Sequence, residues 1–96
     1  MELKRLIDNI SHEIIRGNAD INILGIEHDS RKIQNGYMFI AIKGFTVDGH
    51  KFVNEAINNG AVCIVVEQDV NIEKDVTIVK VKDTTEALAR ISSIFY

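Results

Sequence analysis

Apolar positions change their period along this chain, and the changes mark out its elements. Leu3, Leu6, Ile7 and Ile10 recur every three or four residues, which predicts a helix from Glu2 to about Ile10. Glu13-Ile14-Ile15-Arg16 reads as a short strand, ended by the turn composition Gly17-Asn18-Ala19-Asp20. A second strand is expected from Asn22 to about Asp29, with Leu24, Ile26 and His28 on one face by the two-residue period. Gln34-Asn35-Gly36 then signals a turn. Met38-Phe39-Ile40-Ala41-Ile42 has no polar member and predicts a strand covered on both faces.

Helical spacing returns after Asp48, with Phe52, Val53, Ala56 and Ile57 on one face and Asp48 placed to cap the first turn. Gly60 suits the left-handed position that ends such a helix. Ala61–Val66 and Val76–Val81 read as strands. The acidic stretch 67–75 between them reads as a solvated surface. Asp83-Thr84-Thr85-Glu86 resembles an acidic capping box, opening a last helix with Ala87, Leu88, Ile91, Ile94 and Phe95. The segment from Met38 to Ala61 has the length of a βαβ unit. These elements predict an α/β fold: a small mixed, mostly parallel sheet of about five strands with helices packed on it. The chain stops inside the apolar pattern Ser93-Ile94-Phe95-Tyr96, which predicts one domain cut from a longer protein.

Composition narrows the function. The 96 residues carry a net charge of −3, which argues against bulk nucleic-acid binding. No apolar run approaches the roughly 20 residues that span a bilayer, and the first residues are not a signal peptide, so a cytoplasmic protein is expected. The single cysteine, Cys63, lies in an apolar strand and reads as a small core residue without reactivity. His12, His28 and His50 lack the spacing of a helical zinc pair, so no metal site is expected. Neither a Gly-x-x-x-x-Gly-Lys-Ser/Thr loop nor a Gly-x-Gly-x-x-Gly turn occurs. No catalytic set is complete, and the residues alone describe a binding module.

Polar groups concentrate in two places, His28-Asp29-Ser30-Arg31 and Lys43 to His50, each following an expected strand. In open α/β sheets, ligands sit beyond the carboxyl ends of parallel strands. Between residues 27 and 51 four cations face three anions, and this small excess hints at an anionic ligand. The dipole of the helix after Asp48 would add to it.

Taken together, Asp29-Ser30-Arg31, Gly36, Met38 to Gly44, Asp48-Gly49-His50-Lys51-Phe52, Ala56 and Gly60-Ala61 resemble the amino-terminal domain of the Mur ligases. These are ATP-dependent amide-bond-forming ligases of peptidoglycan synthesis, and the resemblance covers all 96 residues. The variant Gly44 to His50 is most similar to the branch that adds the third amino acid, diaminopimelate or lysine, to UDP-MurNAc-L-Ala-D-Glu. The resemblance implies that residues 1–96 bind the UDP end of that substrate and catalyse nothing themselves. It places contacts at His28, Ser30, Phe45, Thr46 and Val47, with Arg31 and Lys43 as weaker candidates. It further implies that ATP and magnesium belong to a central domain, and the incoming amino acid to a third, neither within this chain. The implied partners are the UDP-MurNAc-dipeptide and those two domains, with no nucleic acid and no membrane.

Each residue also has a plainer reading. Ser30 favours ligand contact over a simple turn cap, because it sits in a loop within the pattern. Arg31 favours an ion pair with Asp29 or Asp48 over a phosphate contact. Asp48 favours a helix cap, His50 a structural role, and His12 the surface. Two alternatives stay open: the same domain of the D-Ala-D-Ala-adding branch, and a non-catalytic nucleotide-sugar-binding or protein-interaction module.

Overall fold

The computed structural model describes residues 1–44 and 46–96. Its elements are α1 (Leu3–Ile7), β1 (His12–Arg16), β2 (Gly25–Glu27), β3 (Tyr37–Ile40), α2 (Val53–Asn58), β4 (Cys63–Val66), β5 (Thr77–Val81) and α3 (Thr84–Phe95). Two 3-10 turns, Ser30–Lys32 and Gly49–Phe52, follow β2 and β3. The five strands form one sheet in the order β1-β5-β4-β3-β2. β2, β3, β4 and β5 run parallel, and β1 joins β5 antiparallel. The mixed, mostly parallel sheet expected from the apolar pattern is the one observed.

Alternation along the strands builds two cores. Met38, Ile40, Cys63, Val65, Val79 and Val81 face one side, where Leu3, Leu6 and Ile7 of α1 and Ala87 and Ile91 of α3 cover them. Phe39, Ile64, Val66 and Ile78 face the other side, against Val53, Ala56 and Ile57 of α2. A strand with helices on both faces has no room for polar side chains, which is why 38–42 and 61–66 are apolar throughout. Cys63 is fully buried, and burial pushes its thiol pKa up to about 12, so it is an inert core group.

Several boundaries differ from those the periodicity predicts. α1 ends at Ile7 instead of Ile10. β2 begins at Gly25, not Asn22, and Ile23 is buried while Leu24 is 61% exposed. The cause lies at the chain terminus: the Met1 ammonium donates to the Asn22 side chain at 2.8 Å and to the Ile23 carbonyl at 3.0 Å. Residues 22–24 are therefore held by the start of the chain, and Leu24 is exposed while Ile26 is buried; His28, past the end of β2, is exposed as well. Phe52 also leaves the core face expected for it, because it closes a 3-10 turn with three residues per turn instead of 3.6. The helix after Asp48 is consequently only six residues long and contributes little dipole.

Caps were placed well by local sequence. The Asp83 carboxylate accepts from the backbone N–H of Thr85 and Glu86 at 2.9 and 3.2 Å, although the Glu86 side chain turns to Arg90 instead of back to the cap. The acidic stretch 67–75 is mostly exposed but is pinned by buried Ile72, whose carbonyl accepts from Arg16 at 2.7 Å. Gly60 has φ +120° after α2, and a Cβ there would lie 2.7 Å from the backbone of Asn35. Gly60→Ala is expected to cost about 2 kcal/mol. Urea unfolding should show a lower midpoint with an unchanged slope.

Candidate ligand-binding site

Because β2 and β3 are parallel, the chain leaves both strands at the same edge of the sheet. After β2, Asp29 organises the exit. Its Oδ1 accepts from the Arg31 backbone N–H and from Arg31 Nε, both at 3.0 Å, and its Oδ2 accepts from Arg31 Nη2 at 2.9 Å. The Ser30 carbonyl accepts from Asn59 Nδ2 at 2.9 Å, which ties this turn to the end of α2. Ser30 is buried at the head of the turn that follows β2.

After β3, Lys43 and Asp48 form an isolated antiparallel bridge, and Gly44 N–H donates to the Val47 carbonyl at 2.9 Å. Gly49 N–H donates to the Ile42 carbonyl at 2.7 Å. A Cβ on Gly49 would sit 2.7 Å from the Ile42 nitrogen, so only glycine permits this approach. Asp48 Oδ1 accepts from the His50 backbone N–H at 3.0 Å and lies 2.7 Å from His50 Nδ1. Buried His50 accepts the Glu67 backbone N–H on Nε2 at 3.1 Å. These partners require the ring proton on Nδ1. His50 thus bolts the loop to the end of β4, the structural role its position suggested.

Between the two exits lies a cavity of about 510 Å³, a volume suited to a small organic ligand. His28, Asp29, Ser30 and Arg31 form one wall, and Ile42, Gly44, Val47 and Gly49 the opposite one. Phe39 contributes from β3, and Phe52 and Glu55 supply a third side from α2 and the turn before it. The structure therefore brings together His28, Ser30, Val47 and Arg31. Thr46 and Lys43 are exposed and outside the lining, because the Gly44–Val47 turn presents Val47 to the cavity and not its neighbour. Phe45 lies outside the described residues. Arg31 pairs with Asp29 and not with Asp48.

Phe52 and Glu55 were not singled out by sequence. The signal was available: residues three apart share a helical face, so once Phe52 leaves the core it takes Glu55 with it. No cluster of three His, Cys, Asp or Glu able to hold a metal ion occurs among the described residues.

The model of the Mur ligase family, catalytic domain, matches residues 22–96. The chain belongs to the Mur ligase family. Among curated Mur ligases, the UDP-N-acetylmuramoyl-L-alanyl-D-glutamate–2,6-diaminopimelate ligase of Clostridium perfringens is 44% identical over 96 residues. The ligase of the same name from Caldanaerobacter subterraneus is 47% identical over 96 residues. Each match covers 100% of this chain and 20% of the relative, so the chain spans about a fifth of their length. Among solved structures, a MurF from Acinetobacter baumannii superimposes with a TM-score of 0.81 at 26% identity, covering 97% of this chain and 20% of that one. The MurF ligase of Thermotoga maritima in complex with ADP gives 0.61 at 33% identity, over 70% of this chain and 15% of that one.

The Arg31 side chain, with help from the backbone N–H, holds the Asp29 carboxyl down at about 2 from an ordinary 3.8. A depressed carboxyl contributes stability that is complete above the unfolded value and is lost as pH falls through the folded one. NMR titration of the Asp29 carboxyl should give a midpoint near the same pH as loss of the Arg31 Nε–H signal. Asp29→Asn should weaken that signal's protection already at neutral pH.

Proposed function

We propose that this Mur ligase chain grips the uridine diphosphate end of UDP-N-acetylmuramoyl-L-alanyl-D-glutamate, as the amino-terminal domain of a cytoplasmic ATP-dependent ligase. The ligase joins 2,6-diaminopimelate to the D-glutamate γ-carboxylate through an acyl phosphate. The observation that carries the reading is the single cavity formed by the two strand exits, at the edge of the sheet where open α/β proteins take ligands. Identities of 40–47% to proteins named for diaminopimelate, against 26–33% to the MurF structures, favour that branch over the D-alanyl-D-alanine-adding one.

Ser30 offers a hydroxyl that can donate or accept, and His28 a ring nitrogen, on one wall. Thr46 and Val47 belong to the loop on the other side, with Lys43 at its base and available to the diphosphate from outside the cavity, and Phe45 is a contact on the resemblance alone. ATP and magnesium supply carboxylate activation. The residues present here do not fit them, since the chain has no phosphate-binding glycine loop and its described residues no metal cluster. They are assigned to the remaining domains. A handle gripped far from the reacting carboxylate lends binding energy that orients the reacting end.

Addition of UDP to the chain should move the amide signals of Ser30, Gly44 and Val47; unchanged spectra at millimolar UDP would count against the reading. In the full ligase, Ser30→Ala should raise KM for the nucleotide substrate about tenfold with little change in kcat, as loss of uniform binding does. Comparing diaminopimelate, lysine and D-alanyl-D-alanine as acceptors settles the branch.

A further inference from the structure

Two asparagines of this chain are followed by glycine, in Asn35-Gly36 and Asn59-Gly60. None of these four residues lines the cavity. The two pairs pack against each other. Gly36 N–H donates to the Gly60 carbonyl at 3.0 Å, and a Cβ on Gly60 would lie 2.7 Å from the Asn35 nitrogen.

An Asn-Gly pair can react with itself. The glycine nitrogen gives up its proton and attacks the asparagine Cγ. An N–Cγ bond forms, the Cγ–Nδ2 bond breaks, and the side-chain nitrogen takes up the proton and departs as ammonia. The product is a five-membered succinimide, which water then opens. Addition of water at Cγ leaves aspartate. Addition at the main-chain carbonyl carbon leaves isoaspartate, whose main chain runs through Cβ and Cγ. Glycine favours the attack, because no Cβ shields its nitrogen and its backbone turns freely.

Ring closure requires the glycine N–H to leave its acceptor and the asparagine side chain to swing onto it. The fold sets different conditions at the two pairs. Asn59 closes α2, and its N–H is shared between the carbonyls of Glu55 and Ala56 at 3.0 and 3.2 Å. Gly60 N–H donates to the Ile57 carbonyl and Ala61 N–H to the Ala56 carbonyl, each at 3.0 Å. Asn59 Nδ2 donates to the Ser30 carbonyl at 2.9 Å. Attack there has to unwind the helix end and break the link to Ser30. Asn35 instead sits exposed at the second position of a tight turn. Tyr37 N–H closes that turn on the Gln34 carbonyl at 3.1 Å, and Gly36 has φ +84°. Among the described residues, asparagine side chains form hydrogen bonds at Asn18, Asn22, Asn58 and Asn59, and not at Asn35. Opening the tip of a turn costs less than unwinding a packed helix end.

We propose that Asn35 is a self-modification site of the folded chain, converting through a succinimide to aspartate and isoaspartate, while Asn59 is protected by the helix end it closes. The reaction consumes only water and needs no ligand. Either product adds a negative charge to a chain whose net charge is −3. Isoaspartate also lengthens the main chain by one atom before the Gly36 nitrogen, which draws that N–H away from the Gly60 carbonyl.

The test is incubation of the folded chain in mildly alkaline buffer, which favours the deprotonated glycine nitrogen, followed by peptide mapping by mass spectrometry. A parallel sample in urea removes the fold. The two sites should convert within about threefold of each other in urea, whereas in the folded chain Asn35 should convert at least about tenfold faster than Asn59. Asn35→Gln should remove the fast product, because its longer side chain cannot close a five-membered ring. The assignment is overturned by a rate ratio no larger in the folded chain than in urea, by a faster Asn59, or by a folded chain in which neither pair converts while urea converts both.

Discussion

β3 is covered on both faces, and that constraint arranges everything else in the molecule. Met38 and Ile40 are sealed under α1 and α3, while Phe39 is sealed on the side of α2. A strand so placed can present chemistry only at its end. Its parallel pairing with β2 then delivers two chain exits to one edge. The polar residues excluded from the strands collect there, and each exit is shaped by an aspartate that folds back on the residue two positions later. Asp29 and Asp48 do the same local job on opposite sides of the cavity, so the site is built from two copies of one turn chemistry.

Much of this was legible because its causes are short-range. Asp48 and Asp83 were readable as caps, since a carboxylate and the N–H groups two or three residues on need no tertiary partner. The doubly covered strands were readable from unbroken apolar runs. The mistakes arose where distant groups decide. Leu24 and Ile23 exchange their expected burial because an ammonium at Met1 captures the chain at Ile23. Phe52 was placed in the core because its spacing was counted at 3.6, while its turn winds at 3.0. Glu55 went unnoticed for the same reason. The resemblance to Mur ligases pointed to two segments that the structure places around one cavity, yet it did not reveal the third wall, which comes from α2 and the turn before it.

Membership of the Mur ligase family gives the small cavity its meaning. The chain spans a fifth of its relatives' length, and the role proposed for it is to lend binding energy. Such energy speeds a reaction only through what it orients elsewhere. The rigidity of the site is therefore as relevant as its contacts. The Asp48–His50 link to the Glu67 backbone serves that rigidity by anchoring one wall to a neighbouring strand.

The hydrogen bond from Asn59 to the Ser30 carbonyl gives α2 an architectural consequence of its own. One end of this short helix carries Glu55 and adjoins Phe52, while the residue that closes its other end clasps the Ser30 flank of the cavity. The helix is a strut spanning the recess, and displacing it shifts two flanks at once. The two flanks are mechanically yoked, so drift at one demands accommodation at the other.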